Sequence, residues 1–429
     1  MHVSKMFVGV AGIAIVGAAL TGCTAGSTTG SITGGASSDA TLSSRGPITY
    51  VQGKDNNNVV RPLIDKWNAA HPDQVVTFKE QSDQADQQHD DLVQHFQAKD
   101  QNYDVVDVDV VWTAEFAAKG WLQPLTDTMA IDTSGLMKPT VVSATYNKTL
   151  FAAPQTSDGG MLYYRKDLVP TPPKTWDEMM KDCDIAKTAG IDCYAGQFAD
   201  YEGLTVNVSE AINTAGGSIV AADGKTPTLN TPQAKAGLTK LVAAYANGNI
   251  PKDAITYQEE QGRTAFEAGK LLFMRNWPYV YSLASTDGSS TVKSTFGVAP
   301  LPGDTGTGAS TLGGHNAAIS VYSQHKATAH DFLTFLESAE TQKFFVTQAS
   351  NAPVLSSVYD DASLQAQFPY LATLKTSIDS AVPRPVTPFY PAVTKAVETN
   401  AYAAIKGDKT VDQALADMQT AIETASSGN

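Results

Sequence analysis

Short apolar runs alternate with amphipathic segments along the first part of the chain. Residues 48–51, 75–78 and 105–111 are rich in β-branched residues and predict strands. Between them, apolar residues recur at helical spacing around Leu63 and again around Leu92. A β-α-β-α-β order of this kind predicts a doubly wound parallel sheet.

The third of these strands carries two carboxylates, Asp107 and Asp109, at alternate positions. Alternate residues of a strand share one face, and ligands of open α/β sheets lie outside the carboxyl ends of the strands. We therefore expect Asp109 to face a crevice, although a capping or salt-bridged Asp is an equally good interpretation. Thr113 is expected to cap a short helix that stops at Gly120.

A later apolar strand, at 271–274, is followed by an aromatic segment that contains Trp277 and Tyr279. An aromatic residue just past a strand end can present a flat face to a ligand, and an indole packs against the C–H face of a sugar ring. Trp277 is therefore a candidate for stacking on a sugar, with Tyr279 as a weaker companion. A core position for Trp277 is the alternative.

Length and composition predict a globular chain with two lobes. The 429 residues exceed what one ordinary core holds, and 42% of them are hydrophobic. The formal charge of −14 argues against nucleic acid and anionic membrane surfaces as partners, and against a strongly anionic substrate. HExxH, GxSxG and EF-hand signatures are absent from the sequence, and we expect neither a cofactor nor a metal.

Residues 1–22 have the features of an export signal. Lys5 gives a positive start, and the apolar run at 7–20 is too short to span a bilayer. The run ends in Leu-Thr-Gly-Cys23, which resembles a bacterial lipobox, whose Cys is lipidated; an ordinary signal peptide is the alternative. Residues 23–46, rich in Gly, Ser and Thr, predict a flexible tether. We expect a lipid-anchored protein on the extracellular face of the bacterial cytoplasmic membrane.

Two further cysteines, Cys183 and Cys193, are close in sequence. In an exported chain such a pair is expected to form a disulfide that closes a small loop. Two buried free thiols are the alternative.

Four segments of the chain resemble those of family 1 extracellular solute-binding proteins of ABC sugar importers, the trehalose- and maltose-binding branch above all. They lie around Asp109 (DVVW..EFA..GWLQPL), Asp158, Trp277 and Arg384 (RPxxPxY). The resemblance implies an α/β, two-lobe periplasmic-binding-protein fold (type II, Venus-flytrap) with hinge crossings. It places the N-terminal lobe at 47–155 and 316–362, and the C-terminal lobe at 156–315 and 363–429.

The resemblance also assigns roles at an interlobe cleft. Asp158 matches an acidic residue that contacts sugar, and Trp277 matches the family's stacking aromatic. Arg384, held between prolines, would donate to sugar oxygens and neutralise Asp109 or Asp158, keeping both ionised. A glycine pair on the second crossing would let a ligand approach backbone N–H groups, and His315 follows where the family often has Trp. The full predicted set is Asp55, Asn56, Gln88, Asp109, Asp158, Tyr201, Glu202, Trp277, Tyr279, Gly313, Gly314, His315 and Arg384.

The function that the resemblance implies is capture of a disaccharide or small oligosaccharide, such as a trehalose- or maltose-like α-glucoside. The expected partners are ABC permease subunits with a cytoplasmic ATPase, and the expected state is a monomer without enzymatic activity. Two alternatives stay open. One is a secreted glycoside hydrolase that uses Asp109 and Asp158 as an acidic pair. The other is a binding protein for a polyol or another non-sugar solute.

Overall fold

The computed structural model describes residues 44–428. The predicted signal peptide, Cys23 and the predicted tether up to residue 43 lie outside the described residues. None of the helices between residues 44 and 428 combines the length and the apolar character that spanning a bilayer requires.

Strands and helices alternate through most of this range. The strands are β1 (Ile48–Gln52), β2 (Val76–Glu80), β3 (Val105–Asp109), β4 (Thr145–Tyr146), β5 (Thr149–Leu150), β6 (Ala152–Pro154), β7 (Met161–Arg165), β8 (Asp192–Ala195), β9 (Leu271–Asn276), β10 (Phe296–Pro300), β11 (Ser310–Leu312), β12 (His315–Ile319) and β13 (Ala381–Pro383). The helices are α1 (Val60–Ala70), α2 (Ala85–Gln97), α3 (Thr113–Ala118), α4 (Lys138–Ser143), α5 (Trp176–Ala189), α6 (Glu202–Thr214), α7 (Pro232–Ala246), α8 (Glu259–Glu267), α9 (Val280–Thr286), α10 (Lys326–Glu337), α11 (Ala339–Ala349), α12 (Ser356–Tyr359), α13 (Ala362–Gln367), α14 (Tyr370–Asp379), α15 (Tyr390–Lys406) and α16 (Val411–Ser427). The predicted lobe boundary between residues 362 and 363 falls inside α13.

The first sheet has five strands in the order β2-β1-β3-β12-β6. β1 pairs in parallel with β2 and β3, so the predicted β-α-β-α-β unit is confirmed. β12 returns from late in the chain and pairs antiparallel with β3 and β6. Apolar side chains of β1 and β3 pack against α1, α10 and α11, which buries one face of the sheet.

Two details near the end of β3 differ from the sequence predictions. The strand ends at Asp109, so Val110 and Val111 lie beyond it. Thr113 is the first residue of α3 and does not cap it. Its hydroxyl instead accepts a hydrogen bond from the Asn316 side chain at 3.2 Å, because β12 runs beside it.

The second sheet has four strands in the order β10-β7-β9-β8. β7 pairs antiparallel with β10 and β9, and β8 lies parallel to β9. The chain passes from the first sheet to the second through residues 155–160 and returns through residues 301–314. The two passages are joined by hydrogen bonds between the backbones of Asp158 and Gly313, at 2.8 and 3.1 Å.

Helix α5 begins with a capping box. The Thr175 hydroxyl accepts from the Glu178 N–H, and the Glu178 carboxylate accepts from the Thr175 N–H. Cys183, on this helix, is bonded to Cys193 on β8, so the predicted disulfide is confirmed. The bond ties α5 to the edge strand of the second sheet.

Candidate functional site

A cavity of about 220 Å³ lies where β3, the two passages and the start of α6 meet. Twelve of the predicted site residues line it: Asp55, Asn56, Gln88, Asp109, Asp158, Glu202, Trp277, Tyr279, Gly313, Gly314, His315 and Arg384. Tyr201 does not line it. Residues far apart in the chain therefore share one cavity, and their roles in binding stay predictions.

Arg384 joins two carboxylates from different parts of the fold. Its Nη2 donates to Asp109 Oδ1 at 2.9 Å, and its Nη1 bonds to Glu202 Oε1. Tyr390 donates its hydroxyl to the same Glu202 oxygen at 2.8 Å. Burial raises the pKa of Glu202, and the Arg384 guanidinium opposes that shift. The side chain of Arg384 is almost completely buried, yet its Nε has no hydrogen-bond partner within the described residues.

Arg384 pairs with Asp109 and Glu202 and not with Asp158, so it does not neutralise Asp158 directly, which the sequence had led us to consider. The Asp158 carboxylate makes no ion pair within residues 44–428. Burial instead raises the pKa of Asp158 to about 6. Asp109, in contrast, has the guanidinium as a direct partner.

His315 lies among the carboxylates of β3. The strand register places it directly opposite Asp109, and its Nε2 is 4.0 Å from Asp107 Oδ2. Burial lowers the pKa of His315, and Asp107, Asp109 and Asp158 raise it more strongly in sum. Burial also raises the pKa of Asp107 to about 6. Asp107 Oδ1 is buried and has no hydrogen-bond partner in the described part of the chain.

Trp277 is half-buried, and two hydrogen bonds fix its backbone. Its backbone N–H donates to Asn276 Oδ1 at 2.8 Å, and its backbone carbonyl accepts from the Tyr163 hydroxyl at 2.7 Å. The Arg275 guanidinium lies 3.8 Å from the ring centroid and is itself fixed by Glu210. One face of the indole is therefore covered by a cation, and a ligand could stack only on the other face.

The glycine pair, Gly313 and Gly314, allows the two passages to pack closely against each other. The Gly313 N–H donates to the Asp158 carbonyl, so it is not available to a ligand, which corrects the interpretation made from the sequence for Gly313. A Cβ on Gly313 would lie 2.8 Å from the Trp277 ring. Gly314 has a φ of +100°, and a Cβ there would lie 2.2 Å from the Thr156 carbonyl oxygen. Only glycine fits at this position.

Two of the predicted binding residues near the first sheet have structural partners. Asp55 accepts from the N–H groups of Val59 at 3.1 Å and Val60 at 2.8 Å, so it satisfies the start of α1. Gln88 donates its amide to the Ser82 carbonyl at 2.8 Å. Both residues line the cavity while holding the loop that forms its wall.

Two tyrosines contact acidic residues at the start of α8. Tyr201 is buried and donates its hydroxyl to Glu259 at 2.8 Å, which explains why it does not reach the cavity. Tyr279 donates to Glu260 at 2.6 Å. Glu260 also pairs with Arg263 at 2.7 Å.

Comparison with known proteins identifies the family. Residues 53–343 match the family model for bacterial extracellular solute-binding proteins. The chain belongs to this family. A relative from Deinococcus radiodurans, described as a probable ABC transporter-binding protein, is 34% identical over 308 residues, which cover 68% of this chain and 72% of the relative.

Solved structures of other solute-binding proteins show the same two-lobe periplasmic-binding-protein fold. Maltose-bound MalE3 of T. maritima has a TM-score of 0.83 and 32% sequence identity, covering 88% of this chain and 99% of that one. A solute-binding protein from Thermotoga lettingae, solved with α-D-tagatose, has a TM-score of 0.82 and 22% identity, covering 89% and 100%. The predicted fold class is confirmed.

Several residues of this solute-binding protein line the cavity without having been predicted as site residues. Glu259 and Glu260 occupy the first turn of α8, where acidic residues are usual for a helix start, so their sequence context gave no functional signal. Gln155 lies in the first passage beside Asp158 and was a detectable candidate. Other unpredicted lining residues include Gln52, Lys54, Asp107, Trp112 and Asn351.

Proposed function

We propose that the protein captures a disaccharide or small oligosaccharide, of the trehalose- or maltose-like α-glucoside type, and delivers it to the permease of an ABC importer. One observation carries the proposal: carboxylates, a buried arginine and the indole of Trp277 line the same cavity. The likeness to a maltose-bound protein at 32% identity supports the choice of sugar. The name of the Deinococcus relative supports the transporter.

The proposed recognition uses groups that suit sugar hydroxyls. Asp109 and Asp158 accept hydrogen bonds from hydroxyls, and the unpartnered Nε of Arg384 donates to a sugar oxygen. The open face of Trp277 packs against the C–H face of a sugar ring. Selectivity follows because a buried polar group left without its partner costs about 1–3 kcal/mol.

Delivery requires that the permease distinguish loaded from empty protein. In the proposal the two lobes, 47–155 with 316–362 and 156–315 with 363–429, close on the sugar, and the closed form docks on the permease, whose cytoplasmic ATPase drives import. Lipidation of Cys23 would hold a monomeric protein at the outer face of the cytoplasmic membrane. A globomycin-sensitive shift in size of the expressed protein is the expected sign of that lipidation.

Calorimetric titration with maltose, trehalose, maltotriose, mannitol and ribitol tests the proposed ligand class. We expect an α-glucoside to bind most tightly, and Trp277→Ala to weaken binding by about tenfold or more, since it removes an aromatic contact surface. Trp176→Ala removes a half-buried tryptophan outside the cavity and should leave the affinity unchanged. A tighter-binding polyol, or equal affinity in the Trp277 variant, would contradict the proposed ligand or site.

The raised pKa of Asp158, at about 6, is also what a general acid needs, so the hydrolase alternative requires its own test. Incubation of the purified protein with maltose and trehalose should leave both sugars intact while the protein binds one of them. Sustained release of glucose would reject the transport proposal.

A further inference from the structure

Acidic side chains around the cavity exceed the cations that could balance them. Glu260 is paired with Arg263, and Asp55 is satisfied by the N–H groups at the start of α1. Asp109 and Glu202 share the single guanidinium of Arg384. One negative charge is left over even within that trio. Asp107 and Asp158 are two further lining carboxylates, and His315, whose pKa they raise, supplies a single imidazole for both.

Among the remaining carboxylates, Asp107 has a buried oxygen without a hydrogen-bond partner in the described part of the chain. The residue is 6% exposed, and this oxygen is its Oδ1. His315 Nε2 lies 4.0 Å from the other oxygen, beyond hydrogen-bonding distance. A buried acceptor without a donor is costly, so a donor supplied by a ligand would recover free energy there.

Two more carboxylates add to this negative field. Asp158 has neither a hydrogen bond nor an ion pair to its carboxylate within residues 44–428. Glu259 has the Tyr201 hydroxyl as a neutral partner at 2.8 Å and no ion pair in the same range. Asp107, Asp158 and Glu259 all line the same cavity.

An unsatisfied donor accompanies the unsatisfied acceptor. The Nε of Arg384, whose side chain is almost completely buried, has no partner in the described part of the chain, and the same guanidinium bonds to Asp109, two residues along β3 from Asp107. A ligand that satisfies both atoms must carry a donor and an acceptor. Neighbouring hydroxyls of a neutral sugar supply both, and an amino sugar supplies them with a positive charge on the donor, which the excess of carboxylates favours.

We propose that the preferred ligand is a glycoside that carries a protonated amine, with the ammonium against Asp107 and Asp158 and an adjacent oxygen on Arg384 Nε. The proposal rests on the proposed function, since it takes sugar binding in this cavity as given, and it narrows the ligand to a cationic class. The ammonium replaces a missing positive charge, and the sugar ring still uses the open face of Trp277.

Paired titrations of the purified full chain test the inference. The probes are trehalose against 2-amino-2-deoxytrehalose, and N-acetylglucosamine against glucosamine, near neutral pH at low and high salt. We expect the free amine to bind about tenfold more tightly or better in at least one pair, the factor that a charge-assisted hydrogen bond supplies. The advantage should shrink at high salt.

Variants then locate the effect. Asp107→Asn and Asp158→Asn keep the shape of the side chain and should each reduce the ratio of amine to neutral affinity by about tenfold. Asp65→Asn removes an exposed charge from α1 outside the cavity and should leave that ratio unchanged. Circular dichroism spectra identical to the parent's would show that the two cavity variants are folded.

The outcomes separate the two proposals. Neutral sugars that bind as tightly as their amines, or more tightly, overturn the inference and leave the proposed function standing. A protein that binds none of the sugars, neutral or aminated, overturns the proposed function. Spermidine that binds more tightly than every amino sugar overturns the glycoside part, because it carries ammonium groups without a ring.

Discussion

Replacement of Arg384 with Met removes the guanidinium that joins β3 to α6 while keeping a side chain of similar length. The structure places that guanidinium on Asp109 at 2.9 Å and on Glu202, which is 6% exposed. After the substitution Glu202 keeps the hydroxyl of Tyr390 as a donor but has no cation beside it. The variant therefore leaves a desolvated carboxylate uncompensated.

The expected loss of unfolding free energy is large. Removing one partner of a buried ion pair costs about 3–5 kcal/mol, because the remaining charge stays away from water. Asp109 is half-buried, and water can replace part of its lost bond, so its share is about 1 kcal/mol or less. Most of the penalty comes from Glu202. A matched control, Arg45→Met, breaks an exposed pair with Asp331 and should cost about 1 kcal/mol or less.

Urea denaturation followed by circular dichroism measures these losses for the parent, Arg384→Met, Glu202→Gln and the double variant. We expect the double variant to be more stable than the sum of the single losses predicts, by about 1 kcal/mol or more. The stability deficit of Arg384→Met relative to the parent should shrink as the pH falls. Because the pKa of Glu202 is raised in the folded protein, its carboxylate is protonated there at a higher pH than in the unfolded chain, and the uncompensated charge disappears. A loss below about 1 kcal/mol, or strict additivity, would refute the reasoning.

Three further changes probe other parts of the structure. Gly314→Ala forces a Cβ to within 2.2 Å of a backbone carbonyl oxygen and should lower the unfolding free energy by about 2 kcal/mol or more. The control Gly288→Ala has no atom within 4 Å of its Cβ and should change the unfolding free energy by less than about 1 kcal/mol. Equal effects of the two substitutions would contradict the packing argument. Glu337 is buried and its pKa is raised to about 8 from 4.5, so its ionisation should lower the unfolding free energy by up to about 1.4 kcal/mol per pH unit as the pH rises between those values. Glu337→Gln should remove this contribution from the total slope, to which Asp107 and Asp158 also contribute, and an unchanged slope in a pH series of urea titrations would exclude Glu337 as a source. The double variant Cys183→Ala/Cys193→Ala opens a short loop and should lose about 2–4 kcal/mol in the same assay, and a loss near zero would show that the bond does not constrain the unfolded chain.

Local patterns were sufficient to predict the three parallel strands of the first sheet and the two helices between them. The β-branched runs of β1, β2 and β3 and the stripes of α1 and α2 are short-range features that survive in the fold. The end of β3 was misjudged, because Val110 and Val111 are buried without being in the sheet. A run of valines indicates burial, and burial alone does not distinguish a strand from the turn that follows it.

Site residues could be predicted where a sequence motif marks them. They could not be predicted where contacts between distant parts of the chain determine the position of the side chain. Asp109, Trp277 and Arg384 line one cavity, as their motifs led us to expect. Tyr201 was expected there too, and its hydroxyl points instead to Glu259, a contact between residues 58 positions apart in the chain. The charge state of Asp158 also depends on burial and on distance from Arg384, neither of which the sequence contains.

The setting of Trp277 gives the protein a built-in optical reporter. Of the five tryptophans in the chain, Trp112 and Trp277 both line the cavity, and Arg275 covers one face of Trp277. A bound ring would seal the remaining face from water and change the light that the indole emits. Occupancy could then be followed in a cuvette without any attached dye, and the response should disappear in Trp277→Phe if that indole is its source.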